Sequence, residues 1–413
     1  MVLGKSTLLY ISPTIPAPSG NGRAMRAYNV LKRLSNSHNI HLLIISREVA
    51  KGKKYHIGKE VSALCGTIEC VPIDPRRDLQ LLFRVRLFKI SRRLYYRFYA
   101  SIENLYCSPK LIQTLKSLYK EKHFDIIHVF RIYMMGFAGC YISSKIAPSL
   151  QIDLDDIESR THYRLSELYK LNRHKGLAKR MQLDAEYFQK LEKQVLNKAD
   201  RIFVCSGIDK KWLSEKYQGA KINIIPNIVD IPNSVNRRQY NKCFKFLFIG
   251  SFGYLPNYDG ILYFCRNILP LIRENTTKPF EVRIVGTGIT KELTNTLSTT
   301  PNVKIVGAVP NVTPQYSMAD AMIVPIRAGG GTRIKVLEAF AHRCPVVGTK
   351  LGVEGIDGRH EEHFLSSDSD DDFAQNCLKL MNDSHIAQRL TSNAFHLVKT
   401  MYVFEALKIS LNG

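Results

Sequence analysis

At 413 residues, with 45% hydrophobic and 23% charged side chains, the chain is too long for a single hydrophobic core and too ordinary for a disordered or fibrous protein, so two folded domains are expected. Lysine plus arginine exceed aspartate plus glutamate by 59 to 36, a net charge of +23, which asks for an anionic partner: nucleic acid, anionic lipid or a phosphorylated substrate. The nine cysteines form no CxxC pair, no run of eighteen uncharged apolar residues occurs, and MVLGKSTLLYISPTIPAP is too short and proline-rich an opening for a secretory signal, so a zinc site, a disulfide framework, a spanning helix and a leader are not expected. The setting expected is the cytoplasm, with any membrane contact peripheral at its cytoplasmic face.

Short β-branched runs alternate with longer amphipathic stretches along the whole chain. In the first half the predicted strands are 6–12, 39–46, 124–130, 149–155, 201–206 and 221–226, and their spacing by helix-like segments points to βαβ units in a parallel sheet. After the first strand comes the loop Ser19-Gly20-Asn21-Gly22-Arg23, which lacks the GxGxxG spacing of a dinucleotide fingerprint.

Between Arg76 and Arg97 eight basic residues accompany a single acid. Phe83, Leu87, Ile90, Leu94 and Phe98 fall on one stripe of a predicted helix, with the basic residues off it. Such a helix over 76–99 suits either an anionic membrane surface or packing on its own sheet. Nucleic acid is not expected, because no recognition motif accompanies the charge.

His128 ends a predicted strand and Arg131 follows three residues later; Asp153, Asp155, Asp156 and Glu158 end the next. The acidic tract reads as a strand-end and helix-cap cluster. Residues 226–242, rich in asparagine with two prolines, break the rhythm and read as a linker, so the domains are placed at 1–230 and 231–395, with a final helix from 396 to 413 that could pack back on the first.

The rhythm then restarts with strands at 243–251, 281–288, 302–309, 320–327 and 344–350. The acidic stretch SSDSDDDF reads as capping a helix rather than binding metal, ahead of a last helical segment at about 387–411. In open parallel sheets ligands sit beyond the carboxyl ends of the strands, which directs attention to AGGGTRIKVLEAFAHRCPVVG. There Gly329, Gly330 and Gly331 let a backbone approach an anion, a helix predicted to open at Thr332 supplies amide donors, and Arg333 and Lys335 stand in its first turn. Cations at a helix N-terminus oppose its dipole, an arrangement that makes sense if a diphosphate is bound.

This stretch, with GSFGYLPNYDGILYF and PNVKIVGAVPNVTPQYSMADAMIVP before it, resembles the retaining glycosyltransferases of family 4, which have the GT-B fold. PSGNGRAMRAYNVLKRL, LQIDLDDIESR and KADRIFVCSGIDKKWL extend the resemblance over the first half. It implies two Rossmann-like doubly wound α/β domains facing a central cleft. The implied activity is transfer of a sugar from a nucleotide-diphosphate sugar to a glycan or lipid-linked acceptor with retention, as in surface polysaccharide synthesis, without a metal or other cofactor.

By the same resemblance Glu338 holds the donor ribose, since a carboxylate can accept from both hydroxyls of a vicinal diol. Gly250, Ser251, Asn257, Gly330, Gly331 and Thr332 lie around the donor, and Val306 and Gly307 meet the base. Gly20, Gly22, Arg23, His128 and Arg131 fall on the acceptor side. Two departures stand out: Gly330 replaces a glutamate that often touches the sugar, and GSFG-Y-LPN lacks the usual arginine and lysine after the first strand of the second domain. Arg333 and Lys335 are the expected replacements as catalytic cations. A catalytically silent nucleotide-sugar-binding subunit and an epimerase of the same architecture remain open alternatives at this point.

Overall fold

The structure is a computed structural model that describes residues 5–50, 54–99, 105–118, 120, 122–139, 148–232 and 243–409. The chain divides into two compact units, Met1–Pro226 and Asn227–Gly413.

The first unit is built on a parallel sheet of β1 (Ser6–Ser12), β2 (His38–Ser46), β3 (Thr67–Pro72), β4 (Ile126–Phe130), β5 (Ser149–Leu154), β6 (Arg201–Val204) and β7 (Ile222–Ile224), in the order β3-β2-β1-β4-β5-β6-β7. The reversal of direction at β1, with one wing built outward on each side, is the doubly wound arrangement. Alternate residues of β1 serve opposite faces: Leu9 and Ile11 join one apolar cluster, Leu8 and Tyr10 the other. Both faces being covered explains why the strands read as continuous apolar runs.

The second unit repeats the plan with β8 (Phe244–Ile249), β9 (Phe280–Val285), β10 (Val303–Gly307), β11 (Ala321–Val324), β12 (Val346–Gly348) and β13 (Leu365–Ser366), ordered β10-β9-β8-β11-β12-β13 and again parallel. Phe246, Phe248 and Ile284 face one cluster, Leu247, Val285 and Met322 the other. Both units are therefore Rossmann-like, the two-domain composition of the GT-B fold.

Two strands were not foreseen. β3 carries a glutamate and a cysteine at the sheet edge and is only half-buried, so the apolar signal of an interior strand is missing; β13 is two residues long.

The basic segment differs more substantially. It forms two helices, Leu79–Ile90 and Arg92–Tyr99, broken at Ser91, which is extended. Asp78 caps the first by accepting from Leu81 N at 3.0 Å. Burial falls on Leu81, Val85, Leu87, Tyr95 and Tyr96, while Phe83, Ile90, Leu94 and Phe98 are exposed. Of the expected stripe only Leu87 is buried: the first helix turns Leu81, Val85 and Leu87 to the core rather than Phe83 and Ile90, and after the break Tyr95 and Tyr96 take the core positions of the second.

The division at Pro226 falls four residues before the expected boundary, and Val229, inside the expected linker, is buried in the second unit with its N–H on Tyr402 O at 2.9 Å. Residues 233–242 of that linker lie outside the described residues. The helix expected from 396 to 413 is not continuous: its first residues end a longer helix, Ser384–Met401, whose Ala394, Leu397 and Val398 sit in the second unit's core, and a separate short helix, Phe404–Ile409, follows, with 410–413 outside the described residues. Ahead of it the acidic stretch opens the helix Asp370–Asn382, but the cap is Ser369, accepting from Asp372 N at 3.2 Å; the aspartates occupy the first turn, where they complement the helix dipole. Among the described residues no helix is long and apolar enough to cross a membrane.

Candidate functional site

In the second unit β11 runs into Arg327 and the glycine loop, and the following helix is Ile334–Ala341. Gly329 and Gly331 have φ of 111° and 67°, which only glycine adopts readily. The helix begins two residues later than expected. Thr332 is buried with its hydroxyl 3.3 Å from Gly355 O, and Arg333 takes the cap position without a side-chain cap bond. Its guanidinium turns back on the loop, donating to Gly330 O, to Gly331 O at 3.0 Å and to Ala328 O at 3.5 Å. A cation thus rigidifies the loop carbonyls.

Lys335 lies below this turn. Its Nζ donates to Ile249 O and to Asn257 Oδ1, both at 2.8 Å, and lies 4.9 Å from the Phe248 ring centroid. The third ammonium hydrogen has no partner among the described residues. Burial, reinforced by the Arg333 charge, lowers the Lys335 ammonium to about 7. Asn257 in turn donates from Nδ2 to Ser251 O at 2.9 Å, and a Cβ on Gly250 would lie 2.7 Å from Asn257 Cγ. The Asn257 amide is thereby engaged at both ends, one N–H holding the loop after β8 and its oxygen holding Lys335.

Glu338 is one turn further along the helix. Its Oε2 accepts from the hydroxyl of buried Tyr316 at 2.9 Å, and burial raises its carboxyl above the ordinary value. Gly307 ends β10 with φ of 80° and open space where a Cβ would lie; its carbonyl accepts from Gly286 N at 2.8 Å. Val306 beside it packs half-buried against the core. The loops after β8 and β9 are joined by Phe252 N on Thr287 O at 2.8 Å. Arg327 pairs with Asp259 through Nε at 3.0 Å and Nη2 at 2.8 Å. Hydrogen bonds and close approaches therefore connect the expected positions 250, 251, 257, 307, 330, 331, 333, 335 and 338 at the carboxyl end of one sheet.

The first unit treats its expected residues differently. Gly20 has φ of 111° in open space, Asn21 caps the helix Gly22–Leu34 by accepting from Ala24 N at 2.9 Å, and Arg23 is exposed in its first turn. One turn on, the wholly buried Arg26 donates to Asp153 Oδ1 from Nε at 3.0 Å and Nη2 at 2.7 Å, and to Ile225 O at 2.7 Å.

His128 is also wholly buried, stacked on Tyr10 at 4.8 Å, with Nδ1 3.3 Å from Gln151 Oε1. Burial lowers it to about 4, so it is a neutral core imidazole and offers nothing to an acceptor. Arg131 is buried too, in a left-handed conformation with φ of 76°, and its Nη1 lies 2.7 Å from Asp156, 3.4 Å from Glu158 and 3.8 Å from Asp155. The acidic tract is therefore a buried ion-pair cluster gathered by Arg26 and Arg131, not a set of helix caps: Ile157 holds the cap position of the next helix. Burial pushes the Asp155 carboxyl above its ordinary range despite these cations.

Residues 20–232 match the family model described as Glycosyltransferase Family 4, and residues 243–383 match Glycosyl transferases group 1. The chain belongs to glycosyltransferase family 4. A solved glycosyltransferase from Rickettsia africae superposes over 99% of this chain and 98% of its own with TM-score 0.62 at 14% identity. TarM of S. aureus, solved with fondaparinux, alpha-GlcNAc-glycerol and UDP, covers 98% and 99% with 0.65 at 10%. Anabaena Alr3699/HepE, solved with UDP and glucose, covers 98% and 99% with 0.64 at 12%. At these identities the likeness concerns the fold. An uncharacterised 44.6 kDa protein in the cps region of Klebsiella pneumoniae is 24% identical over 170 residues, 38% of this chain and 42% of that protein.

For a family 4 glycosyltransferase two features of the site were absent from the sequence reading. Tyr316 gave no signal, because a lone tyrosine in a short helix, Thr313–Met318, reads as core. Gly286 was seen only as the end of a strand, yet a Cβ there would lie 1.7 Å from Gly250 O.

Proposed function

We propose that the second unit binds a nucleotide-diphosphate sugar and that the enzyme transfers the sugar, with retention of anomeric configuration, to a glycan or lipid-linked acceptor taken by the basic first unit. The observation that carries this reading is Lys335: a half-buried ammonium with one hydrogen unpaired among the described residues, beside a glycine loop and a helix start, in a chain that lacks the usual cations after β8. A diphosphate would complete it electrostatically, with loop amides and helix dipole adding to the attraction. Glu338 would take the ribose hydroxyls, and the turn at Val306–Gly307 the base.

In this scheme the acceptor hydroxyl attacks the anomeric carbon as the bond to the diphosphate breaks, and its proton passes to the departing phosphate oxygen. Protein cations and positioning supply the catalysis without a metal. The exposed Phe83, Ile90, Leu94 and Phe98 among eight basic residues suit docking at an anionic lipid surface, where a lipid-linked acceptor would be found and nucleic acid would not. A cytoplasmic site follows from the donor's chemistry, and surface polysaccharide assembly is the setting that suits such an acceptor.

Thermal shift with UDP, GDP and their sugar conjugates, with magnesium or with chelator, tests the donor site: stabilisation by one nucleotide series regardless of chelator is expected. Proton NMR of the product then reads the anomeric configuration, and an inverted product removes the retaining mechanism. Gly330, standing where relatives often have a sugar-contacting glutamate, favours a second reading as a silent binding subunit. Tight donor binding without hydrolysis or transfer on any acceptor would select it.

A further inference from the structure

Tyr316 is completely buried, and the surroundings of its hydroxyl are specific. The oxygen lies 2.9 Å from Glu338 Oε2 and 3.1 Å from Lys335 O. Its single proton goes to the carboxylate, the stronger acceptor, in a charge-assisted bond. The ring stacks on His342 with centroids 4.8 Å apart, and His342 Nδ1 lies 2.7 Å from Glu338 O while Nε2 lies 3.4 Å from Thr313 Oγ1. Tyr316 and Thr313 both belong to the short helix Thr313–Met318, the first element after β10. The segment that leaves the expected base-binding turn at Gly307 therefore reaches across to fix the helix carrying Glu338.

The carboxylate is held asymmetrically. Oε2 is occupied by Tyr316, and Oε1 has no hydrogen-bond partner among the described residues. A glutamate with one oxygen tied by a rigid aromatic donor has lost most of its rotamer freedom, and its remaining lone pairs are aimed before any ligand arrives. Burial opposes ionisation of Glu338 and raises its carboxyl above the ordinary value, and the Tyr316 hydrogen bond offsets part of that by favouring the charged form.

We propose that Tyr316 is a positioning residue for nucleotide recognition, which fixes the Glu338 carboxyl so that its other oxygen is presented to the ribose diol. The proposal rests on the reading of Glu338 as the ribose-binding residue. It predicts that ribose selectivity in this enzyme depends on a hydroxyl that touches no part of the donor.

The test is titration calorimetry with UDP and GDP and with their 2′,3′-dideoxy counterparts, on the full chain and its Y316F and E338Q variants. For whichever base binds, the unaltered enzyme should prefer the ribonucleotide. Y316F should weaken ribonucleotide binding about tenfold, the scale of one charge-assisted hydrogen bond, and leave the dideoxynucleotide unchanged. Tyr316→Met, an apolar filler without the hydroxyl, serves as the second variant should the phenylalanine not fold.

Equal weakening of both nucleotides in a folded Y316F would reduce Tyr316 to packing and overturn the proposal, as would no change in either. If E338Q loses ribose selectivity and Y316F keeps it, Tyr316 alone is eliminated. Unaltered selectivity in E338Q removes the ribose role of Glu338 and this inference with it. Binding of neither nucleotide removes the donor site itself.

Discussion

Lys335 Nζ lies 2.8 Å from Asn257 Oδ1, so that one hydrogen bond joins the helix after the glycine loop to the first turn of the helix Leu255–Tyr263 that follows β8. The ammonium sits in a buried position that lowers it to about 7, and a bound diphosphate would raise it again. A group that is half neutral in the free enzyme and charged in the complex must take up a proton on binding.

Donor affinity is therefore expected to fall as pH rises from about 7.5 to 9, approaching tenfold per pH unit, and to level off below about 6. A nucleotide-diphosphate sugar is the suitable ligand, since its diphosphate does not titrate in this range. Calorimetry in buffers of different ionisation enthalpy should show net proton uptake at pH 8. Lys335→Met should bind weakly at every pH with no slope; a sloping Lys335→Met would transfer the effect to another group.

Gly286 makes the closest approach in the site. Its φ is 147°, and an added Cβ would fall 1.7 Å from Gly250 O, a backbone atom that cannot move aside without breaking the Gly250 N to Val285 O bond. Gly286→Ala is expected to cost roughly 2 kcal/mol or more in urea unfolding and to weaken donor binding, because the loop carrying Ser251 shifts. Gly253→Ala, with nothing within 4 Å of the new Cβ, should do neither. Equal behaviour of the two variants would count against the close approach.

The parts of the site legible in the sequence were those whose residue type is unusual for its place. Three consecutive glycines between a strand and a helix, and cations at a helix start, conflict with local stability and so stand out. Glu338 needed the family resemblance, since a glutamate in a helix is unremarkable by itself. Arg131 was read as an acceptor-side contact because a basic residue after a strand suggests one, whereas it pairs with Asp156, 25 residues along the chain, and the Arg26–Asp153 pair, 127 residues apart, left no sign in the sequence at all. The interior strands were legible, because their apolar runs are continuous, and the edge strands β3 and β13 were missed. The break at Ser91 was hidden because the residues on both sides have good helical patterns.

The Arg26–Asp153 pair is fully buried, and Arg26 stands one turn into the helix that begins at Gly22. Asp153→Ala leaves a guanidinium in the core without its principal counter-charge, and the expected loss is about 3–5 kcal/mol in chemical denaturation. Arg26→Met combined with Asp153→Leu removes both charges and should recover much of that loss. A double variant as unstable as Asp153→Ala would show that packing around the pair, not its charge, sets the stability.

Glu192 provides a titration in the opposite sense from an ordinary salt-bridged acid. It is buried on the long helix Lys175–Leu196 and accepts from Ser159 N at 2.9 Å, Ser159 Oγ at 2.6 Å and Tyr217 OH at 3.2 Å. Burial outweighs these bonds and raises its carboxyl from 4.5 to about 6. Between those values the folded chain holds the proton more firmly than the unfolded one, so ionised Glu192 costs stability near pH 8, and the cost is relieved as pH falls through 6. Glu192→Gln keeps the volume, and the hydroxyls of Ser159 and Tyr217 can turn to accept from its amide. The variant should be more stable than the natural chain at pH 8, by at most about 2 kcal/mol, with the difference closing towards pH 5. Urea unfolding at several pH values reads this directly, and a gap that stays constant with pH would mean that Glu192 does not titrate in the folded chain over that range.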